Sequence, residues 1–410
     1  MLKFVFGRSG CGKSDYVFNQ IKELAICGEN NILLLTPEQY SLVAERRLLN
    51  DLGEDKVNCV DNSSFSRISN DVRRKYGSDA LPTLSKGGKV ILMCKAIDNC
   101  KDNFQLFNKN LDSLSFVTSM INIYDEMKSC NLDSLQINEL SKNIDNQVLY
   151  KKLADISLIM SAYELLIKDR FNDSSNELTR IYNQIFDKGY FKNKYVFIDG
   201  FNGFVAQEYK LLELIIAEAN CVTITVCTDS YDSDNNYDLF SYVNKSFQII
   251  KRIADKSDVE TQIVKLEENY RFKNDELKVI EKHFFDNSNK TLEANENVHI
   301  YASKNISDEC ENVSREIKQL LRKGYKASEI TVICRDLQKY LSELEYNFSK
   351  YEVPYFRDER QPVNTQSLVV MIEFMLRCTD CITNRENTWI KDTDDISRIS
   401  FLDFFTVISH

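Results

Sequence analysis

The residues best suited to chemistry stand together near the start of the chain, Gly7-Arg8-Ser9-Gly10-Cys11-Gly12-Lys13-Ser14. Their spacing is G-x-x-x-x-G-K-[ST], and each residue type in it has a physical task. Gly7, Gly10 and Gly12 carry no Cβ, so the backbone can turn tightly and aim N–H groups at phosphate oxygens. Lys13 brings a cation to the β- and γ-phosphates, and Ser14 offers a hydroxyl to Mg²⁺. The spacing therefore predicts ATP with Mg²⁺ as ligand, cradled by all eight residues. A second candidate is Asp199, which ends the apolar run Tyr195-Val196-Phe197-Ile198. An acid at the tip of a buried strand can hold Mg²⁺ directly or through water. Lys13 and Asp199 are the expected catalytic residues, and Ser14 and Asp199 the expected metal ligands.

The elements around these residues must position them. Leu2–Phe6 reads as a short buried strand, and from Asp15 onward Val17, Phe18, Ile21, Leu24 and Ala25 recur at helical spacing. A second strand is expected over 31–36, stopped by Pro37. A helix should follow over Glu38–Leu52, with Leu42, Val43, Leu48 and Leu49 inward and Gly53 ending it. A third strand is expected at Val57–Val60. The serines of 63–66 can then cap a helix carrying Ile68 and Val72 that ends at Gly77. Strands alternating with helices predict an α/β fold whose parallel sheet binds ligand at the carboxyl ends of its strands. Over 84–190 proline and glycine almost vanish and apolar residues keep helical spacing, which predicts an all-helical insertion. The sheet should resume at Tyr195–Asp199 and Cys221–Val226. Asp229, Asp232, Asp234 and Asp238 lie beyond it in a stretch without calcium-loop spacing. A second α/β unit is expected from Asn297, with strands at Val298–Tyr301 and Ile330–Cys334 and helices at Asp308–Lys323 and Leu337–Phe348. Pro354–Phe356 reads as extended and Gln366–Cys378 as a buried helix. The expected domains are thus 1–83, 84–190, 191–295, 296–353 and 354–410.

Composition narrows the class. Hydrophobic residues at 43% and charged ones at 28% fit a folded globular chain of 410 residues and exclude a disordered one. There is no apolar run of transmembrane length and no signal-peptide core, so a cytoplasmic protein with no membrane partner is expected. The twelve cysteines are scattered, several inside apolar patterns. Cys378-x-x-Cys381 has no second pair and only three histidines for company, so no zinc site is expected. The net charge of −10 supplies no global attraction for nucleic acid. Residues 1–80 are balanced, however, and contain the basic clusters Arg46-Arg47 and Arg73-Arg74-Lys75.

Together these segments resemble the superfamily 1 DNA helicases of the UvrD type, and more closely the N-terminal part of the AddB family of helicase–nuclease subunits. The likeness rests on Gly7–Ser14, on Leu35-Thr36-Pro37-Glu38-Gln39-Tyr40 with Glu45, and on Ser64-Phe65-Ser66-Arg67. Ile198-Asp199-Gly200-Phe201 with Phe204, Gln207 and Glu208 resembles that family's Walker-B motif. Asn269-Tyr270-Arg271 is similar to the helicase motif that stacks adenine and reaches the γ-phosphate. Gly324-Tyr325, then Ile330 to Asp336 and Val353-Pro354-Tyr355-Phe356, resemble the start of a second RecA-like domain. The resemblance covers roughly residues 1–378.

What the resemblance implies is an ATP-dependent subunit that processes double-strand DNA ends for recombinational repair beside an AddA-like motor subunit. It implies a body that guides single-stranded DNA and recognises Chi, with Tyr40, Phe65, Arg67, Arg73 and Arg74 as candidate DNA contacts and Tyr270 and Arg271 at the nucleotide. Two departures bear on mechanism. Active helicases of this type have Asp-Glu where this chain has Asp199-Gly200, and the missing glutamate is the usual base that orients the attacking water. Binding with weak hydrolysis is expected. The later helicase motifs, the nuclease domain and the cysteines of the family's iron–sulfur cluster are absent from these residues, so no nuclease activity is expected of them. A small-molecule P-loop kinase and an interaction scaffold with a vestigial nucleotide site are the competing readings.

Overall fold

The structure, a computed structural model, describes every residue except 78–80, 108–110, 112, 143, 230–238, 286–290, 292–296, 358–365 and 377–410. The stretch with Asp232, Asp234 and Asp238, the Cys378–Cys381 pair and the segments 383–397 and 401–408 lie outside the described residues. Two compact units are present, Met1–Val298 and His299–His410.

The first unit is a RecA-like α/β fold around a parallel sheet. Its strands are β1 (Leu2–Phe6), β2 (Ile32–Leu35), β3 (Val60–Ser63), β4 (Tyr195–Ile198), β5 (Cys221–Val226) and β6 (Thr261–Lys265), in the order β3-β2-β4-β5-β1-β6. Every pairing is parallel, so each connection must cross over through helical chain. Alternate side chains of one strand serve opposite faces. Leu34 and Phe197 pack with Val17, Phe18 and Ile21 of α1 (Lys13–Ile26) and with Ala44 and Leu48 of α2 (Ser41–Val57). Leu33, Leu35, Val196 and Ile198 pack on the other face with Ile68 and Val72 of α3 (Phe65–Tyr76).

Between β3 and β4 the chain is helical: α4 (Lys86–Cys100), α5 (Leu114–Ser129), α6 (Ser134–Ser141), α7 (Gln147–Ile167) and α8 (Glu177–Ile185). Side chains of Ser85, Ser113, Asp133 and Asn146 cap the first four of these helices, satisfying N–H groups that a helix leaves open. Met93 and Ile97 of α4, Met120 and Tyr124 of α5 and Ile159, Met160 and Tyr163 of α7 form one core, whereas Ile181 and Ile185 of α8 join the core on the α3 face of the sheet. After β4 come α9 (Ala206–Glu218) and, after β5, α10 (Ser241–Lys256); both cover the α3 face of the sheet. After β6 comes α11 (Asp275–His283).

Several expectations are corrected. Gly53 (φ 73°) kinks α2 without ending it, and the helix runs on to Val57, so β3 begins at Val60 rather than ending there. The inward face of α2 is Ser41, Ala44 and Leu48, whereas Leu42, Val43 and Leu49 are exposed. In the second unit, α12 (Ile306–Arg322) and α13 (Leu337–Lys350) pack through Cys310, Ile317, Leu344 and Phe348. The strands expected at Val298–Tyr301 and Ile330–Cys334 are not formed; Ile300 is 95% and Ile333 90% exposed. A strand exists only when paired and covered, and two alone are marginal. Residues 367–376 are helical as expected, but Leu368, Met375 and Leu376 are exposed rather than buried.

Candidate nucleotide site and groove

β1 delivers the chain into the loop Gly7–Gly12, and α1 starts at Lys13. Gly10 and Gly12 have φ of 87° and 79°, left-handed conformations that a side chain resists. A Cβ on Gly10 would also lie 2.7 Å from the Cβ of Arg271. The Lys13 ammonium donates to the carbonyls of Gly7 (2.7 Å) and Arg8 (2.8 Å), so it lies folded over its own loop.

Asp199 follows β4, and β5 stands between β4 and β1. From β5, the Thr225 hydroxyl donates to Asp199 Oδ1 at 2.7 Å. Asp199 Oδ2 is buried and has no hydrogen-bond partner among the described residues. Buried carboxylate oxygens are rarely left so, and an orphan acceptor at the carboxyl end of the sheet fits a metal ion or its water. The residues present therefore fit Mg²⁺·ATP: loop N–H groups, Lys13 and Ser14 at one strand end, Asp199 two strands away.

Asn269-Tyr270-Arg271, just beyond β6, docks directly on the loop. Tyr270 N–H donates to the Gly10 carbonyl (3.0 Å), Asn269 Nδ2 to the Ser9 carbonyl (3.0 Å) and the Arg271 guanidinium to Ser9 Oγ (2.9 Å). The Tyr270 ring stands beside Gly12 and is 69% exposed, open to a stacking partner.

The Arg8 side chain is turned away from this cradle. Its guanidinium donates to Glu281 Oε1 (2.8 Å), to the Glu281 carbonyl (2.6 Å) and to Asp229 Oδ2 (2.6 Å), and lies over the Phe240 ring. Burial opposes its charge, but these bonds and the two carboxylates hold its pKa above the ordinary value. Arg8 thus contributes backbone to the cradle, while its side chain ties the loop to α11. The Cys11 thiol is buried; burial pushes its pKa up, although the Lys13 charge opposes this, and it is a poor nucleophile there.

Gly200, where a catalytic glutamate is absent, has φ of 82°. Glu208 accepts the Val205 N–H at 2.9 Å and so caps its own helix, and burial raises its pKa.

A groove of about 460 Å³ opens at the carboxyl ends of β2, β3 and β4, lined by Thr36, Glu38, Ser64, Phe201 and, from the helical region, Asp125 and Ser175. The expected DNA contacts divide around it. Phe65 is a core residue, 4% exposed, packed edge-on against Phe201 and Phe204 with centroids 5.5 and 6.0 Å away; its ring is not free to stack on a base. Tyr40 is half-buried against the α1–α2 core. Arg73 is partly buried and ion-paired with Glu177. Arg67 is exposed on the first turn of α3 and pairs with Glu45 at 3.1 Å. Arg74 is exposed too, but near the far end of a 12-residue helix about 18 Å long, so it serves a different surface. Residues missed by sequence reasoning are Thr225, Glu281 and Asp229; only the second threonine in the buried run Thr223-Ile224-Thr225 was a signal.

A P-loop after the first strand, an acid after the strand two places away and a Tyr-Arg pair laid on the loop define a P-loop NTPase fold of the RecA-like class. Residues 4–281 match the family model described as "ADDB, N-terminal", and residues 264–388 that of the "UvrD-like helicase C-terminal domain". The chain belongs to the AddB family. Curated relatives, each named as the B subunit of an ATP-dependent helicase/deoxyribonuclease, include those of Clostridium tetani (31% identical over 90% of this chain and 33% of the relative) and Clostridium novyi (29%, over 90% and 33%). That of Acetivibrio thermocellus is 29% identical over 92% of this chain and 34% of its own length. The chain spans about a third of the length of these relatives. Among the described residues, no helix is long and apolar enough to cross a membrane.

Proposed function

We propose that this chain is the nucleotide-binding, DNA-guiding part of a helicase–nuclease B subunit that processes double-strand DNA ends in the cytoplasm beside an AddA-like partner, and that it binds Mg²⁺·ATP while turning it over slowly. The carrying observation is the Asp199–Gly200 pair: a buried carboxylate with one open oxygen, followed by a residue that has no side chain and a left-handed backbone. The first suits a metal; the second removes the base that would orient water. Lys13 would release the Gly7 and Arg8 carbonyls to meet the phosphates, Arg271 is within reach of the same loop, and Tyr270 offers a face for the base. Single-stranded DNA would cross the groove above β2–β4. The groove is lined more by hydroxyls and carboxylates than by cations, which suits hydrogen bonding to base edges, as Chi recognition requires, better than holding phosphates.

The test is ATP binding and hydrolysis by the purified chain with and without Mg²⁺ and single-stranded DNA, beside Lys13→Ala. ATP at about 100 times its Kd should stabilise the wild type by roughly 2.7 kcal/mol, and Lys13→Ala should remove that stabilisation. Strong DNA-stimulated hydrolysis would overturn the role given to Gly200.

A further inference from the structure

A cluster of lysines sits at the end of the sheet opposite the nucleotide. Lys194 immediately precedes β4, and Lys75 lies at the carboxyl end of α3, which runs back from the carboxyl end of β3; both therefore mark the amino-terminal edge of the sheet. Gln184 Nε2 donates to the Gly77 carbonyl at 3.0 Å and ties the end of α8 to the end of α3. Two tyrosines, Tyr76 and Tyr190, form the floor, with ring centroids 6.2 Å apart. Lys75 Nζ lies 5.5 Å from the first centroid and 5.2 Å from the second. Lys188 Nζ is 4.5 Å from Tyr76 and Lys194 Nζ 4.4 Å from Tyr190. Lys192 extends from the same turn, and Lys75, Lys188 and Lys192 are exposed.

Cations over aromatic faces are attracted to the rings, which holds these ammonium groups in place without neutralising them. Among the described residues no carboxylate comes within ion-pair distance of Lys75, Lys188, Lys192 or Lys194, whereas other buried or half-buried cations of this unit, Arg8, Arg47, Lys89 and Lys128 among them, are paired. The crowding is felt: burial lowers the pKa of Lys194, Asp61 and Asp71 act against this from a distance, and the charge of Lys75 adds to it. Gathering like charges in a chain of net charge −10 is unfavourable unless an anion arrives.

We propose that this tyrosine-floored lysine cluster is a second nucleic-acid surface, one that takes the phosphodiester backbone and lies apart from the groove. Lysines act on phosphates as point charges and release condensed counterions, with no need for directional fit. Protein interfaces, by contrast, are depleted in lysine at their centres, so an acidic protein is the weaker match. The surface carries no sequence information; it would anchor the strand or duplex while bases are read elsewhere.

The test uses the whole chain with Lys75, Lys188 and Lys192 changed together to Gln, Lys194 being left intact because it is half-buried. Binding of a labelled duplex, and of a single strand of equal length, is measured against salt concentration. The triple variant should bind more weakly and its salt slope should fall by roughly 2–3, each lysine accounting for about one. An Arg67→Ala variant at the groove end of α3 serves as the comparison. Unchanged affinity and slope in the triple variant, with wild-type binding intact, would refute the patch alone. A wild type that binds no DNA at low salt would refute both the patch and the proposed function. Loss of poly-glutamate binding with DNA binding unchanged would assign the surface to an acidic protein and equally overturn the proposal.

Discussion

Two buried aspartates in this molecule have opposite surroundings. Asp173, in the helical region, is filled on both oxygens: Lys89 Nζ lies at 2.7 Å, the Tyr163 hydroxyl donates at 3.1 Å and the Ser175 backbone at 2.9 Å. The lysine also reaches Asp125 (3.0 Å) and Ser175 Oγ (2.7 Å), which uses all three of its protons. Asp199, at the end of β4, has one hydroxyl on one oxygen and, among the described residues, no hydrogen-bond partner on the other. A closed network fixes how helices meet and has no capacity left for a ligand. An open carboxylate contributes little to folding and is available for binding. The two should therefore respond to substitution in opposite ways.

The largest effect is expected where the network is closed. Lys89→Met leaves Asp173 buried without its counter-charge and should destabilise the first unit by about 3–5 kcal/mol in denaturant unfolding. The pH dependence follows from the same pair. Burial would raise the Asp173 pKa, but the bonds from Lys89 and Ser175 bring it below the ordinary 3.8. Its stabilising contribution is thus complete above that value and is lost as the pH falls through the lowered one. Burial would lower the Lys89 pKa, but Asp173 and Asp125 raise it above the ordinary 10.5, so its contribution is complete below 10.5 and is lost only at higher pH. Unfolding curves recorded from acid to neutral should show this acid-side loss in the wild type. In Lys89→Met the Asp173 component of that loss should be much reduced or reversed.

An intermediate effect is expected at Gly200, next to the open carboxylate. A Cβ there would meet Pro37 Cδ at an ordinary 3.5 Å, so space is available and the cost comes from φ alone. Gly200→Glu should cost about 1–2 kcal/mol. If the backbone is as important as the missing side chain, the variant should not acquire rapid ATP turnover. A gain in DNA-stimulated hydrolysis would show that only the carboxylate was wanting.

The contrast also explains what the sequence made legible. β1, its glycine loop and α1 are local: four apolar residues around Lys3, tight-turn glycines and a helical period lie within a short span and need no distant partner to be read. Asp199 was legible for the same reason, as an acid closing an apolar run. Thr225 and Glu281, which bond Asp199 and Arg8, were not, because those contacts arise only when β5 and α11 are brought beside the loop. Phe65 was a candidate DNA contact through the family resemblance, and nothing local in the sequence reveals that Phe201 and Phe204 close over it. β6 was missed because it is an edge strand, mostly exposed, with a weak apolar pattern. Ile330–Cys334 failed in the reverse way, with an apolar pattern as strong as that of β5. Strand formation depends on neighbours, and the described part of the second unit supplies none.

The smallest change in stability and the sharpest change in function should come from Asp199→Asn. The amide keeps an oxygen to accept from Thr225 and removes a buried carboxylate with no cation paired to it among the described residues, so stability without ligand should move by less than about 1 kcal/mol. The Mg²⁺-dependent part of the ATP-induced rise in Tm should vanish, because a neutral amide is a far weaker ligand for a hard divalent cation. ATP binding without metal should persist, since the loop and Lys13 are untouched. Loss of several kcal/mol in the ligand-free protein would place Asp199 with Asp173 as a structural carboxylate, and the open oxygen would then need another account.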